Sequence, residues 1–157
     1  MEHVHHHHHA QAQPSRNRTA WSATLLCLTG CAIGEVLGMV IGTALGWGNG
    51  ATIGLAVVLA FVFGYALTLL PLLKAMSFGA AAKLALAADT ASITVMEIVD
   101  NAIMLVIPGA MDAGLDSVLF WGSLAVALAI AAVAAFPVNR WLIARGRGHA
   151  VVHAHHH

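Results

Sequence analysis

The chain has 157 residues, of which 59% are hydrophobic and 9% are charged, and its formal net charge is zero. Soluble globular domains carry about 25% charged residues, so this composition excludes an ordinary water-soluble protein and indicates an integral membrane protein. The balanced charge also argues against nucleic-acid binding, which requires a surplus of basic residues.

The N-terminal segment, residues 1–20, is polar and contains His3 and His5 to His9. It has neither the apolar core nor the cleavage site of a signal peptide, so we expect it to be a His-rich cytoplasmic tail. The histidine run is either native or partly derived from a purification tag.

Four apolar segments follow, and each is long enough to cross a bilayer, which takes about 20 residues of α-helix. They are residues 21–47, 51–70, 80–107 and 117–136, separated by GWGNG, PLLKAMSFG and PGAMDAGLD. These connections are rich in residues that stop helices. The sequence therefore predicts an all-α integral membrane protein with four transmembrane helices, its membrane domain spanning residues 21–136. Three prolines are expected to end the second, third and fourth helices: Pro71, Pro108 and Pro137.

The basic residues of the chain lie at alternate connections. They precede the first segment, flank the second connection and follow the fourth segment, at Arg16, Arg18, Lys74, Lys83, Arg140, Arg145 and Arg147. Loops rich in Lys and Arg stay in the cytoplasm. Both termini are therefore predicted to be cytoplasmic, including a basic, His-rich tail at residues 137–157, with Asp112 and Asp116 outside.

The first segment has glycine at every fourth position, at Gly30, Gly34, Gly38, Gly42 and Gly46. Such small-xxx-small patterns, of which GxxxG is the best known, let two helix backbones approach closely. The partner is either another segment of the chain or a second copy. Because four helices have to enclose several carboxylates, we expect a homo-oligomer.

A second series with the same spacing consists of Cys27, Cys31, Glu35 and Met39. Residues four apart share one face of a helix, so the two sulfurs are placed to converge on one metal ion. Thiolate and thioether suit Cu(I) first and then Zn, while a carboxylate widens the choice. The alternative is that the cysteines are small buried residues that help the glycines to pack.

The third segment carries a polar arc at helical spacing, formed by Asp89, Thr90, Met96, Glu97, Asp100, Asn101 and Met104. Ionisable groups at membrane depth are costly and mark functional sites by default. The first and third segments run in the same direction, so their polar faces are expected to line one path. Its expected order across the bilayer is Cys27, Cys31, Asp89, Glu35, Glu97, Met39, Asp100.

Two interpretations compete for this polar face. The first is a cation path lined by the acids. The second is a seam of protonated carboxyl groups that holds the helices together, with four hydrogen-bonding partners: Thr90, Ser92, Thr94 and Asn101. The second and fourth segments contain little chemistry and are expected to be lipid-facing walls.

The chain resembles a family of small, four-helix, His-tailed bacterial membrane proteins described as a domain of unknown function. The resemblance rests on CLTGC-x-x-GE-x-LGM and DT-x-S-I-x-x-M-E-x-x-DN blocks, which stand at residues 27–39 and 89–101. It implies a bacterial inner-membrane location, and the copper-related names of some members imply metal handling. Those proteins often have histidine before the first cysteine, where this chain has Leu26, which puts a histidine-assisted site at Cys27 in doubt.

We therefore expect a transporter or permease for a transition-metal cation, with Cu(I) first and Zn, Ni or Co next, and with exchange for protons as one coupling mode. Its expected partners are the lipid bilayer, the metal ion and a second copy of the chain, and histidines in both tails would buffer the metal. The alternative is a non-transporting metal or redox sensor, or an assembly subunit whose polar seam drives oligomerisation. An enzyme has the least support, because the sequence shows no pair of nucleophile and base.

Overall fold

The computed structural model describes residues 15–145, so all the histidines of the two predicted tails lie outside the described residues. It contains four helices: α1 (Arg16–Ala44), α2 (Asn49–Leu72), α3 (Phe78–Val106) and α4 (Val118–Ala144). The prediction of an all-α chain with four long helices is confirmed for this part of the protein. Three of the helices, α1, α2 and α4, are long and apolar enough to cross a membrane. The remaining helix, α3, carries the acids of the polar arc.

The helices form a four-membered ring in which α1 and α3 also touch across the centre. The most extensive contacts join α1 to α2 and α3 to α4, while α1 with α4 and α2 with α3 close the ring. Short connections make consecutive helices antiparallel, so α1 and α3 run in the same direction. The described basic residues therefore share one end of the bundle, and Asp112 and Asp116 lie at the other.

The glycine ridge of α1 packs against α2 of the same chain. Along this contact Gly30 faces Gly64, Gly34 faces Ala60, Gly38 faces Ala56 and Gly42 faces Thr52, which is a regular antiparallel register. A methyl group on Gly30 would lie 2.5 Å from the Cα atom of Gly64, closer than any real contact of this kind. The predicted close approach is thus made within one chain. Because α2 covers the glycine ridge, the ridge itself does not support a homo-oligomer. Helix α2, predicted to be a lipid-facing wall, also forms this helix contact.

Gly46 does not belong to this ridge. It has a φ of +65° in the turn after α1, where a side chain would be strained. Glycine at this position therefore allows the turn rather than the helix contact.

Helix α4 continues through Pro137 to Ala144, so the prediction that this proline ends the helix is wrong. A proline removes one backbone donor, but transmembrane helices tolerate it when surrounding groups satisfy the freed carbonyl. The helical bundle also begins at Arg16 rather than at residue 21. The helical part of the chain thus extends beyond the predicted domain, residues 21–136, at both ends.

The extension of α4 places a polar residue inside the bundle. Asn139 is buried, and its Nδ2 atom donates a hydrogen bond of 2.9 Å to Oγ1 of Thr24 on α1. The Thr24 hydroxyl in turn donates to the carbonyl oxygen of Ala20. This pair ties α1 to α4 near the basic end of the bundle.

We expect Thr24→Val to lower the free energy of unfolding by about 0.6 kcal/mol or more, the average value of a hydrogen bond between transmembrane helices. The matched control is Thr29→Val, because Thr29 is exposed and donates only within its own helix, to the carbonyl oxygen of Leu25. Thermal unfolding in detergent measures both variants. Equal effects of the two substitutions would show that the Thr24 to Asn139 bond does not stabilise the bundle.

Candidate functional site

Four carboxyl groups from α1 and α3 lie inside the bundle. The exposed fractions are 3% for Glu35, 0% for Asp89, 5% for Glu97 and 3% for Asp100. The acids of α3 are buried because they lie on the same face of the helix as its other buried residues, Ser92, Ile93, Met96 and Met104. The four acids therefore share the interior of the bundle, and they form three layers with the sulfur atoms of α1.

The first layer, nearest the basic end, joins Cys27 to Asp89. The Cys27 thiol donates to Oδ1 of Asp89 at 3.6 Å, and both residues are completely buried. Ser92, one turn further along α3, also interacts with the Cys27 thiol. A thiol and a carboxyl group from two different helices thus meet here.

The second layer joins Cys31 to Glu97. The thiol and the carboxyl group interact electrostatically across the centre of the bundle. Met96 lies in the same buried cluster as both cysteines, together with Ile93 of α3, Ala60 of α2 and two alanines of α4, Ala131 and Ala135. All four helices therefore enclose this layer.

The third layer brings Glu35 against Asp100, with Glu97 also within electrostatic range. Neither carboxyl oxygen of Glu35 receives a well-formed hydrogen bond from residues 15–145, although both are buried, and the same holds for Glu97. Facing carboxyl groups in a low-dielectric interior need a proton or a cation between them. This layer is consequently a place where a positive charge would be stabilised.

One turn beyond Glu35 and Asp100, both helices present a methionine. Met39 and Met104 lie in a second buried cluster, which also contains Phe120 and Leu124 of α4. This cluster is separate from the one around the cysteines. The structure therefore distributes the nine predicted ligands over the length of the bundle rather than gathering them at one point.

The order of these groups differs from the prediction. Asp89 lies beside Cys27 rather than between Cys31 and Glu35, and Asp100 lies beside Glu35 rather than beyond Met39. The difference is about one helical turn, or roughly 5.4 Å. Sequence position along each helix does not determine the relative displacement of two helices, which depends on how their surfaces pack.

The predicted hydrogen-bonding partners of a structural seam mostly bond to their own helix. Thr90 donates to the carbonyl oxygen of Leu86 at 2.6 Å, and Thr94 donates to that of Thr90 at 2.7 Å. Asn101 donates to the backbone oxygen of Glu97 and not to its carboxyl group. Thr90 is exposed and also shares a hydrogen bond with Tyr65 of α2. Only Ser92 remains among the buried acids and sulfurs.

The donor set does not form a ready-made multidentate metal centre. Within residues 15–145, no three His, Cys, Asp or Glu side chains are grouped as a metal ion would require. Methionine lies outside that set of residue types. Each layer instead pairs one cysteine or acid of α1 with one acid of α3, and further polar groups lie nearby in the first and third layers.

Sequence reasoning missed three residues near this interior. Asn139 and Thr24 close the basic end, and Met111 of the last connection packs against the cluster of Met39 and Met104. The sequence did contain a pattern that predicts burial of Asn139. Ala131, Ala135 and Asn139 recur at every fourth position, and this spacing continues past Pro137. No pattern in the sequence indicated Met111.

Residues 16–148 match the model of one protein family, whose description is Domain of unknown function (DUF4396). No curated protein and no solved structure matches the chain at a significant level.

Proposed function

The chain belongs to the DUF4396 family, whose description assigns no activity, and we propose from its buried layers that it is a membrane transporter of a transition-metal cation. The observation that carries the proposal is the Glu35 and Asp100 layer, where two buried carboxyl groups lie close enough to share a proton and no well-formed hydrogen bond from residues 15–145 reaches the Glu35 oxygens. Structural acids would be expected to carry hydrogen-bonding partners. Acids whose polar neighbours are other acids instead suit a site that takes up positive charge.

The three layers supply a graded path. An ion would meet thiol and carboxyl at Cys27 and Asp89, then at Cys31 and Glu97, and then carboxyl groups alone at Glu35 and Asp100. Soft sulfur in the two layers nearer the basic end favours Cu(I), followed by Zn, Ni or Co. Two groups at each layer suit transport, because an ion that must leave has to be held by several weak sites rather than one strong site.

The proposal includes a topology and an assembly. All four helices cross the bacterial inner membrane, and the basic end lies in the cytoplasm because Lys and Arg are retained there. The acids of α3 tolerate this position because the other three helices enclose them. A homo-oligomer in the lipid bilayer remains part of the proposal, and histidines of both tails would concentrate the metal at the cytoplasmic mouth. Exchange of the ion for protons at the carboxyl groups would couple transport to a proton gradient.

A second candidate is a non-transporting sensor or assembly subunit. The observation in its favour is that the residue types that most often bind metals form no group of three among residues 15–145. In that case the polar interior would serve helix association and oligomerisation. The two candidates differ in what substitution of an acid does to metal movement and to assembly.

Metal flux into proteoliposomes tests the proposal. We expect Glu97→Gln and the double variant Cys27→Ser/Cys31→Ser to reduce Cu(I) influx by about tenfold or more, since each removes a group on the path. Asp116→Asn is the matched control, because Asp116 is exposed in the last connection and lies off the path. A metal-sensitive dye inside the vesicles reports the rate.

Size-exclusion chromatography of the same variants separates the two candidates. A transporter loses flux while the elution volume stays that of the wild type. Unchanged metal movement together with dissociation of the Glu97→Gln variant would contradict transport and support the assembly subunit.

A further inference from the structure

The end of the bundle opposite the basic residues contains a second group of soft donor atoms. Of the six methionines in the chain, three belong to one place: Met39 on α1, Met104 on α3 and Met111 in the connection before α4. Met39 and Met104 are buried, with exposed fractions of 9% and 1%, and Met111 packs against their cluster. Three separate parts of the chain thus bring a thioether to the same cluster.

The last connection is shaped to bring Met111 there. Gly109 has a φ of +77°, a conformation that side chains rarely adopt, and the Ala110 N–H donates to the carbonyl oxygen of Ile107. This turn folds the connection back, so that Ala110 is completely buried. Asp112, next after Met111, accepts a hydrogen bond of 3.3 Å from Nδ2 of Asn49 on α2. The chain is therefore held on both sides of Met111.

The rest of this cluster is apolar. Its other members are Ala110, Phe120, Leu124 and Ala127, with Val36, Ile103, Ile107, Ala113, Leu115 and Leu128 packed against them. The three thioether sulfurs are consequently its side-chain donor atoms. Neutral thioethers bind soft monovalent ions such as Cu(I) and Ag(I), whereas Zn, Ni and Co favour imidazole, thiolate or carboxylate.

We propose that Met39, Met104 and Met111 form a thioether site for a soft monovalent metal cation at the end of the bundle remote from its basic residues. The proposal deepens the function proposed above and rests on it for the assignment of the ion as cargo. The site lies one helical turn beyond Glu35 and Asp100 on both helices, so an ion leaving the carboxyl layer would next meet the sulfur of Met39 and Met104. The site selects Cu(I) over divalent ions at this end of the path.

Silver X-ray absorption on the full-length protein in detergent tests the site. Ag(I) is the probe because it stays monovalent and binds thioether sulfur. The background is Cys27→Ser/Cys31→Ser, so that any sulfur bound to silver is a thioether. We expect sulfur neighbours at silver in this background, and we expect Met39→Leu, Met104→Leu or Met111→Leu to weaken Ag(I) binding by about tenfold or more.

Leucine is close to methionine in volume, so these substitutions preserve the packing of the cluster. The matched control is Met76→Leu, which lies in the connection between α2 and α3 at the basic end. It is expected to retain silver bound to sulfur. Equal loss in this control, or no sulfur neighbours in the cysteine-free background, would overturn the site.

The silver-binding experiment and the metal-flux experiment can fail independently of each other. If the wild type moves no metal across vesicles while silver remains bound to thioether sulfur, the transporter proposal fails and the thioether site stands. If metal moves but Met39→Leu, Met104→Leu and Met111→Leu all bind silver as the parent does, the thioether site fails and transport stands.

Discussion

Gly34→Ala is expected to destabilise the bundle by about 1–3 kcal/mol, the usual effect of inserting a methyl group into a well-packed interior. The new Cβ atom would overlap the backbone of Ala60, and also that of Leu59 at its carbonyl carbon. Backbone atoms cannot move aside as the end of a flexible side chain can. The two helices would therefore have to separate along their whole contact, and thermal unfolding in detergent measures the loss.

The control for this substitution is Gly54→Ala on α2. A Cβ atom at Gly54 meets no heavy atom within 4 Å, so the substitution adds no contact. Alanine in a helix interior is more favourable than glycine by about 0.5–1 kcal/mol, and we expect this variant to match or exceed the wild type in stability. Similar losses in both variants would contradict the proposed packing of α1 on α2.

Glu35→Leu is expected to abolish metal flux and at the same time to stabilise the protein. Burying a carboxyl group against other carboxyl groups is costly, by about 1–3 kcal/mol for a poorly satisfied polar group, and leucine removes that group in a similar volume. Flux is lost because the carboxyl group that faces Asp100 is gone. The substitution separates two roles of Glu35. If the acid stabilises the bundle, its loss lowers stability; if it serves transport, its loss abolishes flux and does not lower stability.

Two measurements on the same preparation decide the Glu35→Leu prediction: metal influx into proteoliposomes and the thermal midpoint in detergent. Asp116→Leu makes a similar chemical change at an exposed acid and is expected to alter stability by no more than about 0.5 kcal/mol. A lower midpoint for Glu35→Leu with wild-type flux would show that the carboxyl groups hold the helices together and carry no ion.

The fold was largely predictable because membrane helices follow from length and composition. Four apolar segments separated by short connections that stop helices leave little choice of secondary structure. The burial of Glu35 and of the acids of α3 was predictable for a similar reason, since a carboxyl group at membrane depth avoids lipid. The closeness of the α1 contact followed from glycine at every fourth position.

The partner of that glycine face was not predictable in the same way. A row of glycines indicates a flat surface but does not identify the surface that covers it. In the structure this face is covered by α2, through four residues with the same four-residue spacing: Thr52, Ala56, Ala60 and Gly64. This second row was visible in the sequence, and matching the two rows in antiparallel register would have indicated an intrachain contact.

Local rules also failed where tertiary packing outweighs them. Pro137 was expected to end α4, yet the helix continues and buries Asn139 against Thr24. The four-residue spacing of Ala131, Ala135 and Asn139 runs through Pro137, but this spacing does not show that Thr24 stands opposite Asn139. The prediction of the fourth helix was therefore too short at its end.

The amino-acid order thus establishes which residues enter the interior, because transfer of each side chain between lipid and protein depends mainly on its own chemistry. It does not establish which residues stand opposite one another. The pairing of Cys27 with Asp89 and of Glu35 with Asp100 depends on the displacement between helices, as does the packing of Met111 against the cluster that contains Met39 and Met104. That displacement is set by the simultaneous fit of four helix surfaces and three connections, which only the folded bundle determines.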